Sequence, residues 1–471
     1  MRGVSLDGND SIEFYLGMRE IIESVRVGNG PVFVEARTYR LGPHAGVGDN
    51  YNTTREELAA ARERAPIVRT RALLMNAGIC DEADLAAIEA QAQAEVNDAL
   101  HKALAAPATP VDTIIEDVFG DDDVVPRDGH YPFRAMEEMP SGPAQKMQMI
   151  DAIRSAQDIA MAQDEDVIIL GEDVGDPTGG VFGANTGLQN KYGKSRVRPT
   201  PIAEQAIIGA SIGSALVGMR PIAEIMFADF FGVCLDQVAN HAAKQRYMSG
   251  SATHVPITIR TAVGGGPAGF GAQHSQSPEA WLLHTPGLKV AYPSTPADAK
   301  GLLLSAIFDD DPCVIMEPII LMRGQKEAVP VGDYRIPFGV ARTRREGSDI
   351  SLVTYGWEVN QCLAAAEELA GEGISAEVID LRSLTPIDYH RVLESARKTG
   401  RALVVHAAVG FCGLGSEIAG TINQELWREL KAPAQRFGAD YAPIAYAREL
   451  ERQQVPNSAT IVARVRKLMK A

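Results

Sequence analysis

The rhythm of hydrophobic and polar positions divides the chain into three stretches. In residues 1–106, the segment 32–40 (VFVEARTYR) alternates and is rich in β-branched residues, which predicts a strand. A polar, glycine-rich loop follows over 41–52. Farther on, Leu85, Ile88, Ala92, Val96, Leu100 and Ala103 recur at helical spacing behind Asp81, a suitable N-cap, so an amphipathic helix docked on another surface is expected. Residues 107–145 are dense in Pro, Asp and Gly and read as a linker, with Asp121–Asp123 as solvated surface. From Lys146, apolar runs at 166–174 (DVIILGEDV), 221–227 (PIAEIMF), 256–263 (PITIRTAV), 288–294 (LKVAYPS) and 313–318 (CVIMEP) alternate with helical segments. Such alternation predicts an α/β layer on a mainly parallel sheet. The pattern resumes at 350–356 (ISLVTYG), 375–381 (SAEVIDL) and 402–406 (ALVVH), with one helix closing near Gly371–Gly373 and another starting near Thr385. This predicts a second, smaller α/β unit. The expected partition is 1–106, the linker 107–145, then 146–335 and 336–471.

Composition narrows the function classes. The chain has 471 residues, 45% hydrophobic and 23% charged, as expected of a globular protein of several domains. Forty-five Lys and Arg against 61 Asp and Glu give a formal charge of −16, which argues against a phosphate-backbone partner such as nucleic acid. Five scattered cysteines form no CxxC pair or metal spacing and read as reduced thiols. No apolar leader opens the chain, and no run approaches about 18 apolar residues, so neither a secretory signal nor a membrane span is expected. The cytoplasm is the expected location.

Ligands on parallel sheets collect beyond the carboxyl ends of strands. Glu172 lies there after VIIL, Phe230 and Phe231 after the strand ending at Met226–Phe227, and His274 in the glycine-rich loop that opens at Gly264. Glu204 opens a long uncharged helix, and His44 follows the strand of the first region. Each has a plainer reading: a carboxylate at the positive end of a helix, a loop histidine, a surface histidine. The small residues Gly209 and Gly213 suit close helix packing, and the 264–271 loop lacks the strand–GxGxxG–helix setting of a phosphate site.

Together these segments resemble the thiamine-diphosphate-dependent decarboxylase component of 2-oxoacid dehydrogenase complexes, the group that includes the pyruvate, branched-chain and acetoin enzymes. Residues 146–471 are similar to a nearly complete β subunit through LGEDV, TPIAEQAIIGASIGSALVGMRPIAEIMFADF, DQVANHAAKQRYMSG, AQHSQSPEAWLLHTPGLKVAYPSTPADAKGLL and EVIDLRSLTPID. Residues 1–106 resemble the carboxyl-terminal part of an α subunit through LDGND, GPVFVEARTYRLGPHAGVGDN and TREEL. The resemblance implies a transketolase-type α/β fold, with an α-tail fused ahead of a pyrimidine-binding domain and a carboxyl-terminal domain.

It also implies roles. Glu204 would hydrogen-bond the pyrimidine ring nitrogen of the cofactor, with Phe230 stacked on that ring, Met226 and Ile202 lining its pocket and Glu172 close by. His274 would face the reacting carbon and orient the substrate carboxylate or the acyl group. His44 would reach the diphosphate and serve as a proton donor. The family's Gly-Asp-Gly and downstream Asn, which hold Mg²⁺ on the diphosphate, have no match in residues 1–60, and no metal ligand is assigned to this chain. A second polypeptide with the amino-terminal half of an α subunit is therefore expected. Two copies of each chain would form a heterotetramer, passing the acyl unit to the lipoyl group of an acyltransferase core. Two rival readings remain open: a split biosynthetic homologue that delivers the acyl unit to an aldehyde, ketone or carrier-bound thioester, and a non-catalytic scaffold. Ala45 stands where regulated animal versions carry a phosphorylated serine, 52–55 (NTTR) departs from the usual loop, and His241 and Ala407 replace acidic residues common in the family.

Overall fold

The computed structural model describes residues 1–44, 53–120, 142–264, 266 and 268–470. Ala45, Asn52 and most of the expected linker, including Asp121–Asp123, lie outside the described residues. The chain divides into two compact units, Met1–Pro110 and Val111–Ala471.

The first unit is built on one parallel pair of strands, Arg2–Asp7 and Val32–Arg37, in register from Arg2↔Val32 to Asp7↔Arg37. The crossover helix Ser11–Arg26 is capped by Asp10, whose carboxylate accepts from the Ile12 and Glu13 N–H groups. Arg69 ties Asp7 and Asp10 together, 2.8 Å to each. The strand Arg2–Asp7 has no counterpart in the sequence reading, because its RGVSLD pattern carries too few apolar residues to stand out. The expected helix spans Glu82–Ala105, and its cap is a reciprocal pair between Asp81 and Asp84. Its apolar stripe is largely uncovered: Leu85 is buried, but Ile88, Val96 and Leu100 are each more than half exposed. Among the described residues of this unit only Ile21, Ala61 and Leu85 are buried hydrophobics.

The second unit has a seven-stranded sheet in the order Ser383–Thr385, Lys289–Ala291, Cys313–Pro318, Thr258–Val263, Arg220–Ile225, Val167–Glu172, Val197–Thr200. All neighbours are parallel except Ser383–Thr385, which runs antiparallel to Lys289–Ala291. Helices Met149–Gln163 and Pro296–Ile307 cover one face with Ile153, Met161, Leu302 and Leu303, while Ile207, Ile208 and Phe231 pack on the other. These strands are apolar on both faces, as a doubly covered parallel sheet requires. A second sheet of five strands orders Arg342–Arg345, Ala376–Asp380, Ile350–Thr354, Ala402–Val409 and Gln435–Ala439, with only the first antiparallel.

The two sheets share material. The 383–385 edge strand comes from the second sheet's stretch of chain, and one core cluster runs from Ile208 through Tyr292 to Ile418. The helix expected from Thr385 begins instead at Tyr389, because Pro386 interrupts and Asp388 supplies the cap to the Arg391 N–H at 2.9 Å. The end of the expected linker is also structured: Ala144–Met147 pairs antiparallel with Glu327–Pro330. Phe119 is 7% exposed within the second unit, and the Gly120 N–H donates to Asp311 at 2.9 Å.

Candidate active site

Parallel strands place their carboxyl ends on one rim of the sheet, and two acidic side chains meet there. Glu172 closes the strand Val167–Glu172, and Glu204 opens the helix Glu204–Leu216, where the Ala203 N-cap provides no side-chain acceptor for the free N–H groups of the first turn. Glu204 is 9% exposed. Glu172 is half-buried, and its Oε1 lies out of solvent with no hydrogen-bond partner. Burial pushes the Glu172 carboxyl above its ordinary range, the nearby Glu204 charge adds to the rise, and the Ala203 backbone N–H opposes it. The Glu204 charge also reaches Cys234, whose thiol is pushed up to about 12, first by burial and then by that carboxylate. Cys234 donates to the Phe230 carbonyl at 3.7 Å, so Glu204 sits against the helical segment that Phe230 leads into.

Phe230 belongs to a second grouping. Its ring meets that of His274 edge-on at 5.2 Å between centroids, and Phe227 meets the same imidazole edge-on at 4.8 Å. Phe270 and Phe182 extend the cluster around Phe227, at 5.6 and 5.7 Å. Asp229 accepts the Gln276 N–H at 3.3 Å, and its second oxygen is buried without a partner. Burial pushes the Asp229 carboxyl up, against the Gln276 N–H and its own N–H, and against the pull of His274. These groups open into a cavity of ≈ 1430 Å³ that Phe230, His274, Gln276, Trp281, Ala407 and Phe411 help to line. That volume exceeds the several hundred Å³ of a typical small-molecule site.

The other sequence candidates fall at different places. Met226 is 5% exposed and faces a void of ≈ 10 Å³ shared with Arg260 and Glu317. Ile202 is 84% exposed, on the turn before Glu204. His44 lies in the first unit, exposed, at a turn held by Arg40, whose guanidinium donates to the Pro43 and His44 carbonyls at 3.1 and 2.9 Å. Among the described residues no cluster of three or more His, Cys, Asp or Glu side chains is arranged to hold a metal.

The residues suit an aminopyrimidine-type heterocycle. Such a ring needs a carboxyl group for its ring nitrogen, a polar acceptor near its amino group and an aromatic face; Glu204 and the unpartnered Glu172 Oε1 are polar groups of the first two kinds, and Phe230 is an aromatic side chain of the third.

Sequence reasoning missed three features of this region. Asp229 was passed over beside its aromatic neighbour. The buried cation Arg260, 1% exposed, bonds Glu317 at 2.7 and 2.9 Å and Glu224 at 2.8 Å, all three on neighbouring strands that read as apolar. The glycine-rich loop does bind an anion, but the anion is a side chain of this chain: the Ala268 and Gly269 N–H groups donate to the Glu451 carboxylate at 3.0 and 2.9 Å. No local pattern signals a partner 182 residues away.

Comparison with known proteins agrees with this geometry. Residues 145–325 match the transketolase pyrimidine-binding domain, 339–461 the transketolase carboxyl-terminal domain, and 1–112 the dehydrogenase E1 component. The chain is 46% identical over 338 residues to the β subunit of acetoin:2,6-dichlorophenolindophenol oxidoreductase from Cupriavidus necator, covering 69% of this chain and 98% of that one. It is 44% identical over 323 residues to the 2-oxoisovalerate dehydrogenase β subunit of Bacillus subtilis, covering 68% and 98%. Among solved structures, a split-gene transketolase described as an inactive β4 tetramer superposes with a TM-score of 0.56 at 24% identity, covering 69% of this chain and 99% of that one, which supports the fold alone. The chain therefore belongs to the β-subunit family of the thiamine-diphosphate-dependent 2-oxoacid dehydrogenase E1 enzymes, with a dehydrogenase-E1-type segment joined ahead of its transketolase-type domains.

Proposed function

We propose that this chain, completed by a second polypeptide carrying the amino-terminal half of an α-type subunit, decarboxylates a 2-oxoacid or cleaves an acyloin and passes the acyl unit to a lipoyl acceptor. The observation that carries the reading is the placement of two acids at the carboxyl rim of the parallel sheet: Glu172 pairs in register with Thr200, and Glu204 opens the helix that follows, with its charge raising the Glu172 carboxyl. Thiamine diphosphate, when bound, supplies the electron sink for breaking the bond beside the substrate carbonyl. The protein's part is placement and proton control. Glu204 would hold a hydrogen bond at the pyrimidine nitrogen, Phe230 would offer its face, and the free Glu172 oxygen would take a hydrogen bond; Met226, turned towards its own small void, and the exposed Ile202 are not assigned to the ring. His274, clasped by Phe227 and Phe230, orients the substrate carboxylate or the acyl group at the reacting end. His44 serves the diphosphate end, and Mg²⁺ is held there by the second polypeptide.

The need for that polypeptide is supported by the first unit. Among the described residues the first unit has one parallel pair of strands, without the covered faces that parallel sheets require. Here Phe33 is 62% exposed on its strand, and the helices leave Ile67, Ile79 and Leu104 in water. An α-type half would add strands and cover this surface. Self-association into a heterotetramer uses the Glu204–Leu216 helix, whose Gly209 and Gly213 have open space beside them and whose end exposes Leu216 and Val217. The assembly acts in the cytoplasm with a lipoyl acyltransferase core; no described helix is long and apolar enough to cross a membrane.

Co-expression with a candidate α-type half, followed by calorimetric titration with thiamine diphosphate and Mg²⁺, tests the reading. Saturable binding is expected for the pair and little for this chain alone. Tight binding by the lone chain would sink the shared-site proposal. An assay with a free lipoyl domain against aldehyde acceptors then separates the dehydrogenase role from acyl transfer to a carbonyl.

A further inference from the structure

The loop that carries His274 leaves the strand Thr258–Val263 and returns on itself. Its two ends are locked by sterics: a side-chain carbon at Gly264 would fall 2.2 Å from the Ser275 backbone, so only glycine fits there. Its tip is held from elsewhere. Glu451, on the helix Arg448–Gln454 of the carboxyl-terminal domain, is 0% exposed and receives the consecutive N–H groups of Ala268 and Gly269. Successive N–H groups of this kind form a concave nest for an anion. Gly269 has φ +80°, and a side-chain carbon there would meet the Arg448 side chain at 3.1 Å, so the turn is fitted to this one helix.

The tethered turn leads directly to the imidazole. Phe270 follows Gly269; its N–H donates to the Ser275 hydroxyl at 3.2 Å, and its ring rests against Phe227, which in turn contacts His274. The His274 N–H donates to the Gly271 carbonyl at 3.2 Å. From these contacts we propose that Glu451 is a positioning residue for His274, by which the carboxyl-terminal domain sets where the imidazole stands in the cavity. This inference rests on the proposed catalytic role of His274. It assigns no contact between Glu451 and substrate or cofactor.

Hydrogen–deuterium exchange on the full chain tests the tether without any activity. In Glu451→Ala the amides of 268–275 should exchange about tenfold faster or more, while those of Ile350–Thr354 keep their protection. Glu451→Gln, which retains one carbonyl acceptor, should fall between wild type and Ala. Unchanged exchange at 268–275, or equal loosening of both segments, overturns the proposal. In the assembled enzyme, Glu451→Ala should lower kcat by about tenfold or more with a smaller change in KM, the mark of misplaced chemistry rather than weakened binding. Faster exchange with unchanged turnover also overturns it, and His274→Ala then shows which premise failed. A fully active His274→Ala condemns the catalytic reading of the imidazole, whereas an inactive one condemns the positioning role alone.

Discussion

Glu172 feels the charge of Glu204: after burial, that carboxylate is the largest influence holding the Glu172 carboxyl above its ordinary range. The strand end and the helix start bring two acids to the same rim of the sheet. Replacing Glu204 by Gln keeps the shape and removes the charge. In the assembled enzyme kcat should fall by about 10²–10⁴, the span of a lost acid–base contribution. Sedimentation of the assembly should be unaffected. Undiminished turnover would remove Glu204 from the mechanism.

The same pair predicts a pH signature in stability. A folded-state carboxyl held above its unfolded value favours the protonated form, so its contribution is fully present below the unfolded value and is lost as pH rises through the folded one. Glu172→Gln should therefore raise the melting temperature near pH 8 and lose that advantage near pH 4. An identical shift at both pH values would mean that the carboxyl is not strained by its surroundings. Activity should fall in the same variant, a cost expected where a site stores destabilisation for function.

Much of this was legible in the sequence because periodicity and strand-end position are local properties. The parallel strands Val167–Glu172 and Arg220–Ile225 are largely apolar, and the positions of Glu172 and Phe230 follow from where they end, that of Glu204 from the start of the uncharged helix Glu204–Leu216. What escaped depends on distant partners. Arg260 and Glu224 sit in strands that look apolar and make sense only as mutual counter-ions. The 383–385 strand crosses to another sheet, and Glu451 fills a nest whose glycines suggested no particular anion. The Glu82–Ala105 stripe was recognised, but its surface remains open among the described residues.

Arg260 yields a stability prediction. Its guanidinium is the common partner of Glu224 and Glu317, and Asn185 and Gln157 complete its hydrogen bonds at 3.2 and 3.3 Å. Removing one member of a buried ionic set leaves charges uncompensated, at a cost of about 3–5 kcal/mol. Arg260→Met should lower unfolding free energy by that amount in denaturant titration, and Arg260→Lys should recover little because a single ammonium cannot match the fork of contacts. A loss below about 1 kcal/mol for Arg260→Met would show that the acids find other partners.

The exposed apolar surface of the first unit should behave as an interface. If a second polypeptide covers the Val32–Arg37 strand, Phe33→Asp should weaken that complex by about 2 kcal/mol or more, as for an aromatic anchor, while the isolated chain stays folded. Titration of the two purified chains measures this directly. Equal affinity for wild type and Phe33→Asp would place the contact elsewhere.

His406 offers the sharpest pH test. It is fully buried on the strand Ala402–Val409, and neither ring nitrogen has a well-aligned hydrogen-bond partner. Gly413, Gly415 and Gly438 crowd the ring so closely that a side-chain carbon at any of them would come within 2.9 Å of it. Burial lowers its pKa from 6.5 to about 4; the Ala408 backbone pulls the other way, and the Arg436 charge reinforces the fall. The folded protein therefore keeps this imidazole neutral while the unfolded chain takes up a proton. Stability is unaffected above the unfolded value and is lost as pH falls from about 6.5 towards 4, by about 3 kcal/mol in total. His406→Leu abolishes the titration, so its unfolding free energy should decline over that window less steeply than that of wild type, by that amount. Parallel curves for the two proteins would mean that the imidazole becomes protonated within the fold.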